Sequence, residues 1–172
     1  MYTAYVLFGG NEGNVPFLFR EAASLMDEAG LTVTEKGSLF QSDAWGEGVQ
    51  GTFYNQLMIL RVGLEPWDLL SVLLEIERKL GRKREEGVVS NRTIDIDILL
   101  IDDLIVSLPG LTIPHPRLHQ RRFALVPLCE LVPSLIHPVM GKSMLQLLQD
   151  STDQLMVEKV EKKRYPDISP NE

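Results

Sequence analysis

Residues 91–99 read Asn-Arg-Thr-Ile-Asp-Ile-Asp-Ile-Leu, an alternation of polar and apolar side chains that predicts a β-strand with one buried face. Side chains two positions apart on a strand point the same way, so Asp95 and Asp97 share one face and the isoleucines share the other. Two carboxylates about 6 to 7 Å apart along a strand repel each other unless a positive charge lies between them. A hard, oxygen-binding cation suits that position best. The alternative is a solvent-facing strand that carries two aspartates by chance, and the depletion of Asp in strands makes it the weaker interpretation.

The segments around this strand predict an α+β fold with a ferredoxin-like βαββαβ core. Strand patterns cover residues 2–8, 31–41, 52–62 and 92–101, and helix patterns cover residues 16–29 and 65–80. A C-terminal extension follows, with helices expected at residues 122–131 and 142–148. We therefore expect a single domain over residues 1–157 and a polar, frayed tail over residues 158–172.

Composition limits the classes of function. The chain has 172 residues, of which 44% are hydrophobic, which is enough for one domain with its own core. A net charge of −7 argues against a general nucleic-acid or anionic-membrane binder, because such proteins carry a broad basic face. The positive charge is nevertheless concentrated, since nine of the 17 Lys and Arg residues fall between positions 78 and 122, around the strand with the two aspartates.

The single cysteine and the absence of a long apolar segment indicate a location. Cys129 lies in an apolar segment, where core packing is its expected role, and one cysteine allows no internal disulfide. The N-terminus lacks a basic region followed by an apolar stretch, and no stretch approaches the roughly 20 apolar residues of a membrane span. We expect a cytoplasmic protein that does not bind membranes and acts as a monomer.

A charged loop leads into the aspartate strand. Residues 82–87 are by default a solvated charge run. Arg84 and Arg92, however, bracket a glycine-containing segment beside the predicted cation site, which is what binding a polyphosphate requires. Glu77, on the preceding helix, is either a ligand-facing group or an exposed helix residue, because periodicity does not put it on the apolar stripe.

Three further patterns are less specific. His115 stands between two prolines and six residues before Arg121, and the two side chains together could clamp a phosphate, although a lone His is more often structural. Phe53 and Asn55 share a face of a strand, so they either bind a planar heterocycle or serve as a core ring and an edge-strand amide. The glycine-rich segment 9–14 matches neither the Walker nor the dinucleotide pattern, so we interpret it as a tight turn in which Asn11 is a candidate ligand contact.

Taken together and in this order, the segments resemble the 6-hydroxymethyl-7,8-dihydropterin pyrophosphokinase family, which transfers pyrophosphate from ATP to a pterin alcohol in folate biosynthesis. The match extends from residue 2 to about residue 150 and is most specific in its last two blocks. The matching blocks are residues 7–14, residues 53–56, Glu77 with residues 80–82, residues 92–99, and residues 114–117 with Arg121, Arg122, Phe123, Pro127, Leu128 and Pro133.

The resemblance implies roles for individual residues. Asp95 and Asp97 would hold two Mg²⁺ ions that bridge the ATP phosphates and ligate the pterin hydroxyl, and with Arg82 and Arg92 they form the implied catalytic set. The implied ATP contacts are Glu77, Arg82, Arg84, Arg92, Ile98, His115 and Arg121. The implied pterin contacts are Phe53 and Phe123 against the ring faces, and Asn55 with Ser42, Asp43, Ala44 and Trp45 at the ring edge. Asp97 or water would accept the proton of the pterin alcohol.

The chain departs from the family pattern in two places. Gly10 stands where Ser is usual, which we expect to matter little. Residues 88–91 stand where many members carry an aromatic residue and Gly-Pro, so Val89 cannot close over the site as a ring would. We expect a lower rate or weaker pterin binding as a result.

Two other functions fit parts of the pattern. One is a different Mg²⁺-dependent phosphotransferase or nucleotidyltransferase that acts on a small alcohol. The other is an RNA-binding ferredoxin-like module with Phe53 as a stacking residue, which the acidic net charge disfavours.

Overall fold

A six-stranded antiparallel sheet forms the centre of the protein in a computed structural model that describes residues 1–44, 51–83 and 91–161. The strands are β1 (Tyr2–Gly10), β2 (Thr32–Lys36), β3 (Phe40–Asp43), β4 (Thr52–Val62), β5 (Asp95–Ile101), β6 (Val106–Leu108), β7 (Leu111–Ile113) and β8 (Val157–Lys159). The order across the sheet is β5-β1-β4-β3-β8, and β2 pairs with the other end of β4. Strands β6 and β7 form a separate hairpin.

Helices cover both faces of this sheet. They are α1 (Val15–Glu28), α2 (Pro66–Lys79), α3 (Arg122–Leu131) and α4 (Met144–Asp150), with a short 3-10 helix at Leu118–Gln120. Phe8 of β1 and Ile96 of β5 point to the face that packs against α1 and α2. Leu7 of β1 points to the opposite face and joins the core formed with α3 and α4. The two-residue period of the strands therefore divides the apolar side chains between two cores.

The predicted class, a mixed fold of helices and an antiparallel sheet, is confirmed, and the bounds of the four predicted helices agree with the structure to within two residues. Helix α1 begins where the sequence predicts because the side chain of Asn14 accepts a hydrogen bond from the backbone N–H of Phe17. It ends before Gly30, which has a φ of +78° and suits a residue that follows a helix.

The predicted strand over residues 31–41 is two strands, separated at Gly37. The N–H of Gly37 donates to the carbonyl of Leu57, and its own carbonyl accepts from the side chain of Gln56. A Cβ on Gly37 would lie 3.3 Å from both the Leu57 carbonyl and a carboxylate oxygen of Glu130. This close approach interrupts the regular pairing, which resumes in β3.

Two boundaries near the expected ligand contacts also differ from the predictions. Ser42 and Asp43, which fall in the interval between the predicted strands 31–41 and 52–62, belong to β3, where they pair with Phe53 and Thr52 of β4. Strand β5 begins at Asp95, three residues later than predicted. Within the same interval, residues 45–50 lie outside the described residues.

The C-terminal strand β8 pairs with β3, so the predicted start of the tail at residue 158 falls inside the sheet. Its sequence gives little strand signal because it is a three-residue edge strand with two exposed side chains. Residues 162–172 lie outside the described residues. In the parts of the chain that the structure describes, no helix is long and apolar enough to cross a membrane.

Candidate active site

Asp95 and Asp97 project from β5 on the face of the sheet that also carries α3 and α4. On that face Asp95 lies beside Gly9 of β1 and Asp97 lies beside Leu7. Ile96 and Ile98 are buried on the opposite face, against the core with α1 and α2. The predicted division of this strand into an apolar and a charged face is therefore confirmed.

The missing side chain of Gly9 leaves a gap in this face of the sheet. Gly9 is paired on one side with Asp95 and on the other with Asn55 of β4. A Cβ on Gly9 would lie 3.2 Å from the Asn55 side-chain oxygen and 3.9 Å from the Cβ of Asp95. The buried amide of Asn55 and the carboxylate of Asp95 thus lie on either side of the Gly9 backbone.

Two arginines form ion pairs with Asp95. Arg92 Nε lies 3.1 Å from one carboxylate oxygen, and Arg82 Nη2 lies 3.9 Å from the other. Both guanidinium groups are largely buried, with side-chain exposures of 25% and 13%. The sequence prediction that positive charge surrounds the aspartates is confirmed for these two residues, whereas Arg84 lies outside the described residues.

Asp97 is the electrostatically strained member of the pair. Burial, and then the neighbouring charge of Asp95, raise the pKa of Asp97 to about 7, and the positive charge of Arg121 only partly opposes this shift. Above that pH the face carries two adjacent negative charges. Such a site gains free energy from any cation that binds between the carboxylates.

The backbone of the glycine-rich turn holds the segment before β5. Asn11 accepts a hydrogen bond from the N–H of Arg92 through its side-chain oxygen, at 2.8 Å, and the N–H groups of Asn11 and Glu12 donate to the Arg92 carbonyl. A Cβ on Gly10 would lie 2.6 Å from the carbonyl oxygen of Thr93. Gly10 is therefore required for this close approach, in contrast to our expectation that the departure from Ser matters little.

His115 is a neutral hydrogen-bond donor at neutral pH. Burial, followed by the charges of Arg121 and Arg117, lowers the pKa of His115 to about 4. Its Nδ1 accepts from the backbone N–H of Arg117, at 3.2 Å, so the ring hydrogen is on Nε2. Of the predicted His and Arg clamp, only Arg121 contributes a charge, and His115 contributes a directed N–H.

Glu77 is buried, with 1% of its surface exposed, so it is not an exposed helix residue. Its carboxylate oxygen Oε1 accepts a 2.7 Å hydrogen bond from the backbone N–H of Ile96. Ile98, the other residue implied at the nucleotide, is also buried, and its side chain lies in the core on the face opposite Asp97. Helical periodicity missed the burial of Glu77 because it is a polar residue at the edge of the apolar stripe.

The two candidate ring-binding phenylalanines each lie beside an arginine. The Arg92 guanidinium carbon is 5.0 Å from the ring centroid of Phe53, and that of Arg121 is 5.4 Å from the ring centroid of Phe123. Phe53 and Asn55 are buried on the face that carries the aspartates. Ser42, Asp43 and Ala44 lie on or directly after β3, alongside Phe53, whereas Trp45 lies outside the described residues.

Comparisons with known proteins point to one family. The family model described as 7,8-dihydro-6-hydroxymethylpterin-pyrophosphokinase matches residues 5–133. The chain is 40% identical to the 2-amino-4-hydroxy-6-hydroxymethyldihydropteridine pyrophosphokinase of Synechocystis sp., over 85% of this chain and 74% of that protein. It is 34% identical to the protein of the same name from Aquifex aeolicus, over 88% of this chain and 94% of that protein.

Solved structures share the fold at lower sequence identity. The Plasmodium falciparum HPPK-DHPS structure with pteroate superposes with a TM-score of 0.67 at 15% identity and covers 86% of this chain. The matching region is 42% of that chain, so the present protein spans less than half of its length.

Proposed function

The chain belongs to the 7,8-dihydro-6-hydroxymethylpterin-pyrophosphokinase family and is an ATP-dependent pyrophosphokinase of folate biosynthesis; we propose that it transfers pyrophosphate from ATP to 6-hydroxymethyl-7,8-dihydropterin on the sheet face that carries Asp95 and Asp97. The observation that carries this proposal is the position of the two carboxylates, between buried arginines on one side and the Gly9 gap with Asn55 on the other.

We propose that Asp95 and Asp97 hold two Mg²⁺ ions. In the described residues no group of three or more His, Cys, Asp or Glu side chains could hold a metal. Two carboxylates suffice for Mg²⁺, because it commonly binds one or two protein carboxylates together with substrate phosphates and water. The raised pKa of Asp97 fits a site that a cation stabilises. When bound, the ions would neutralise charge on the phosphates and lower the pKa of the pterin alcohol.

The basic groups around the aspartates suit the triphosphate. Arg82, Arg92 and Arg121 can bind phosphate oxygens, and the Nε2–H of His115 can donate to another without adding charge. From the family resemblance, Arg84 joins this set. Their action is to hold the β-phosphate and to stabilise the charge on the transferring group.

The pterin ring would lie between Phe53 and Phe123. Asn55 offers a buried amide for the ring edge, and the backbone of residues 42–45 offers further donors and acceptors. The floor at Gly9 would let the hydroxymethyl arm pass from Asn55 toward Asp95. The alcohol oxygen then attacks the β-phosphorus in line, and the bond from that phosphorus to the α-phosphate oxygen breaks. AMP leaves with that oxygen, and Asp97 or water accepts the alcohol proton.

We also infer that the core is ferredoxin-like and that the chain acts as a cytoplasmic monomer. The strand order β5-β1-β4-β2, with α1 and α2 on one face, supports the ferredoxin-like assignment. The free thiol of Cys129, partly buried against the core with α3, fits a reducing compartment.

Phosphorus NMR of the protein with ATP, Mg²⁺ and 6-hydroxymethyl-7,8-dihydropterin tests the function. We expect AMP and a pterin diphosphate to appear together in equal amounts. Formation of ADP would instead indicate an ordinary kinase on the same site, and the absence of any turnover would contradict the proposal.

A further inference from the structure

Strand β5 is the outermost strand of the sheet in the described part of the chain. Among the described residues, β5 pairs on one side, with β1, so alternate residues of β5 point their N–H and carbonyl groups away from that partner. The N–H of Ile96 points away in this manner, and Ile96 lies between the two aspartates. A buried N–H without an acceptor costs free energy, so the position of this strand depends on what accepts from Ile96.

Glu77 supplies that acceptor. It lies in the last turn of α2, and its Oε1 accepts from the Ile96 N–H at 2.7 Å, a short distance for a hydrogen bond to a charged acceptor. The side chain is 1% exposed, which leaves almost none of its surface for a ligand. The hydrogen bond joins a helix on one face of the sheet to the midpoint of the strand that carries Asp95 and Asp97.

The backbone of Glu77 links the same helix turn to Arg82. The Glu77 carbonyl accepts from the N–H of Arg82 at 3.0 Å, and the Arg82 guanidinium reaches Asp95. The end of α2 is thus connected to the aspartate strand in two ways, through the Glu77 side chain and through the Arg82 ion pair.

The location of this carboxylate is electrostatically unfavourable for the aspartates. The negative charge of Glu77 adds to the burial and the Asp95 charge that raise the pKa of Asp97. The repulsion between Glu77 and Asp97 costs free energy, which a favourable interaction of the Glu77 carboxylate must offset. A charged acceptor makes a stronger hydrogen bond to a backbone N–H than a neutral one does, and Glu77 makes such a bond to Ile96.

We propose that Glu77 is a positioning residue that fixes the spacing of Asp95 and Asp97 through the Ile96 N–H, and that its side chain does not contact ATP. This role for Glu77 rests on the proposed function in one respect, the assignment of Asp95 and Asp97 to the reaction. It revises the role that the family resemblance implies for Glu77 among the nucleotide contacts.

Two substitutions of similar volume separate the two roles. Glu77→Gln and Glu77→Met both remove the charge, but only Gln keeps an oxygen that can accept from Ile96. Amide exchange of ligand-free protein, followed by NMR, is expected to be about tenfold faster at Ile96 in Glu77→Met than in Glu77→Gln, as for loss of one buried hydrogen bond. The amides of Asp95 and Asp97, which point toward β1, provide reference positions in the same strand.

Kinetics provide the second measurement. We expect kcat to fall by about tenfold or more in Glu77→Met, because small displacements of reacting groups are costly, and to be largely restored in Glu77→Gln. The dissociation constant of a non-hydrolysable ATP analogue should be similar in the two variants. Glu75→Gln, which removes an exposed carboxylate from the same helix, is the control and should match wild type in both measurements.

Equal weakening of analogue binding in Glu77→Gln and Glu77→Met, with unchanged exchange at Ile96, would overturn the proposal and restore a nucleotide contact. The exchange measurement needs no substrate, so it remains decisive even if the wild-type protein fails to form AMP. That second failure would count against the proposed function alone.

Discussion

The raised pKa of Asp97 has a consequence for stability that can be measured without substrate or metal. The folded protein keeps the Asp97 proton up to about pH 7, whereas the unfolded chain loses it at the ordinary pKa of an aspartate, 3.8. Between those two values the folded state binds more protons, so the stability of the metal-free protein decreases as the pH rises through this window.

Asp97→Asn should therefore stabilise the metal-free protein at pH 8 but not at pH 4. We expect a gain of about 2 kcal/mol, less than the full pKa shift would give because Arg121 loses a charged neighbour. Thermal unfolding with a chelator at both pH values measures it. The same change in melting temperature at pH 4 and pH 8 would contradict the raised pKa.

His115 provides a second test at the level of single residues. Because burial and two arginines lower its pKa to about 4, the ring should stay neutral over the physiological range. We expect its Cε1–H resonance to be constant between about pH 5.5 and 8 in the ligand-free protein. A titration midpoint near the ordinary value of 6.5 would mean that His115 acts as a cation beside the phosphates.

At the scale of the structural elements, hydrogen bonds and an ion pair of one side chain, Glu130, connect α3 with β8 and with the segment before β3. Glu130 of α3 accepts hydrogen bonds from the N–H and the hydroxyl of Ser38, at 2.8 and 2.6 Å, and pairs with Lys159 of β8 at 2.7 Å. Ser38 lies two residues before the start of β3, the strand that leads to the candidate pterin contacts at residues 42–44. Through Glu130, helix α3 and strand β8 hold that part of the candidate site.

Glu130→Ala should lower the free energy of unfolding by about 2 kcal/mol, because the Ser38 groups lose their acceptor. We also expect KM for the pterin to rise more than KM for ATP, since β3 carries residues implied at the pterin ring edge and none of the implied ATP contacts. Thermal unfolding and steady-state kinetics test both effects. Lys142→Met, which breaks an exposed ion pair with Asp150, is the control and should change stability by less than about 0.5 kcal/mol.

The elements show which patterns a sequence can predict. Strand β5 was predictable in its faces because the two-residue alternation of Asp and Ile is a local property. The division of residues 31–41 at Gly37 was not, because it depends on close contacts with Leu57 and Glu130, which are distant in sequence. The strand β8 escaped prediction for a related reason, since only its pairing with β3 makes it a strand.

At the scale of the whole molecule, the sequence predicted the fold class and that basic groups lie near the two aspartates, but not how these groups interact. His115 is neutral because the folded chain buries its ring beside two arginines. Glu77 accepts a hydrogen bond from Ile96 because the fold brings α2 against β5. Neither environment can be read from a local sequence pattern. The role of Gly10 was likewise misjudged, because the Thr93 carbonyl that approaches it comes from a distant segment. Val89 lies outside the described residues, so the expected effect of losing an aromatic residue there stays a prediction.

The whole molecule places the candidate chemistry on one face of a sheet that is covered by helices on both sides. In the described residues, the face opposite the aspartates is occupied by the core with α1 and α2, whereas Asp95 and Asp97 lie on the face that carries α3. The proposed reaction therefore depends most on Asp95 and Asp97.

The rate of AMP formation in Asp97→Asn tests that dependence most directly, with Asp150→Asn as a control on the exposed end of α4. Folding is checked first by thermal unfolding. We expect Asp97→Asn to form AMP about 100-fold more slowly or worse, since groups that stabilise transferring charge contribute at that scale, and Asp150→Asn to match wild type. Near-normal AMP formation by a folded Asp97→Asn protein would contradict the assignment of the reaction to this face of the sheet.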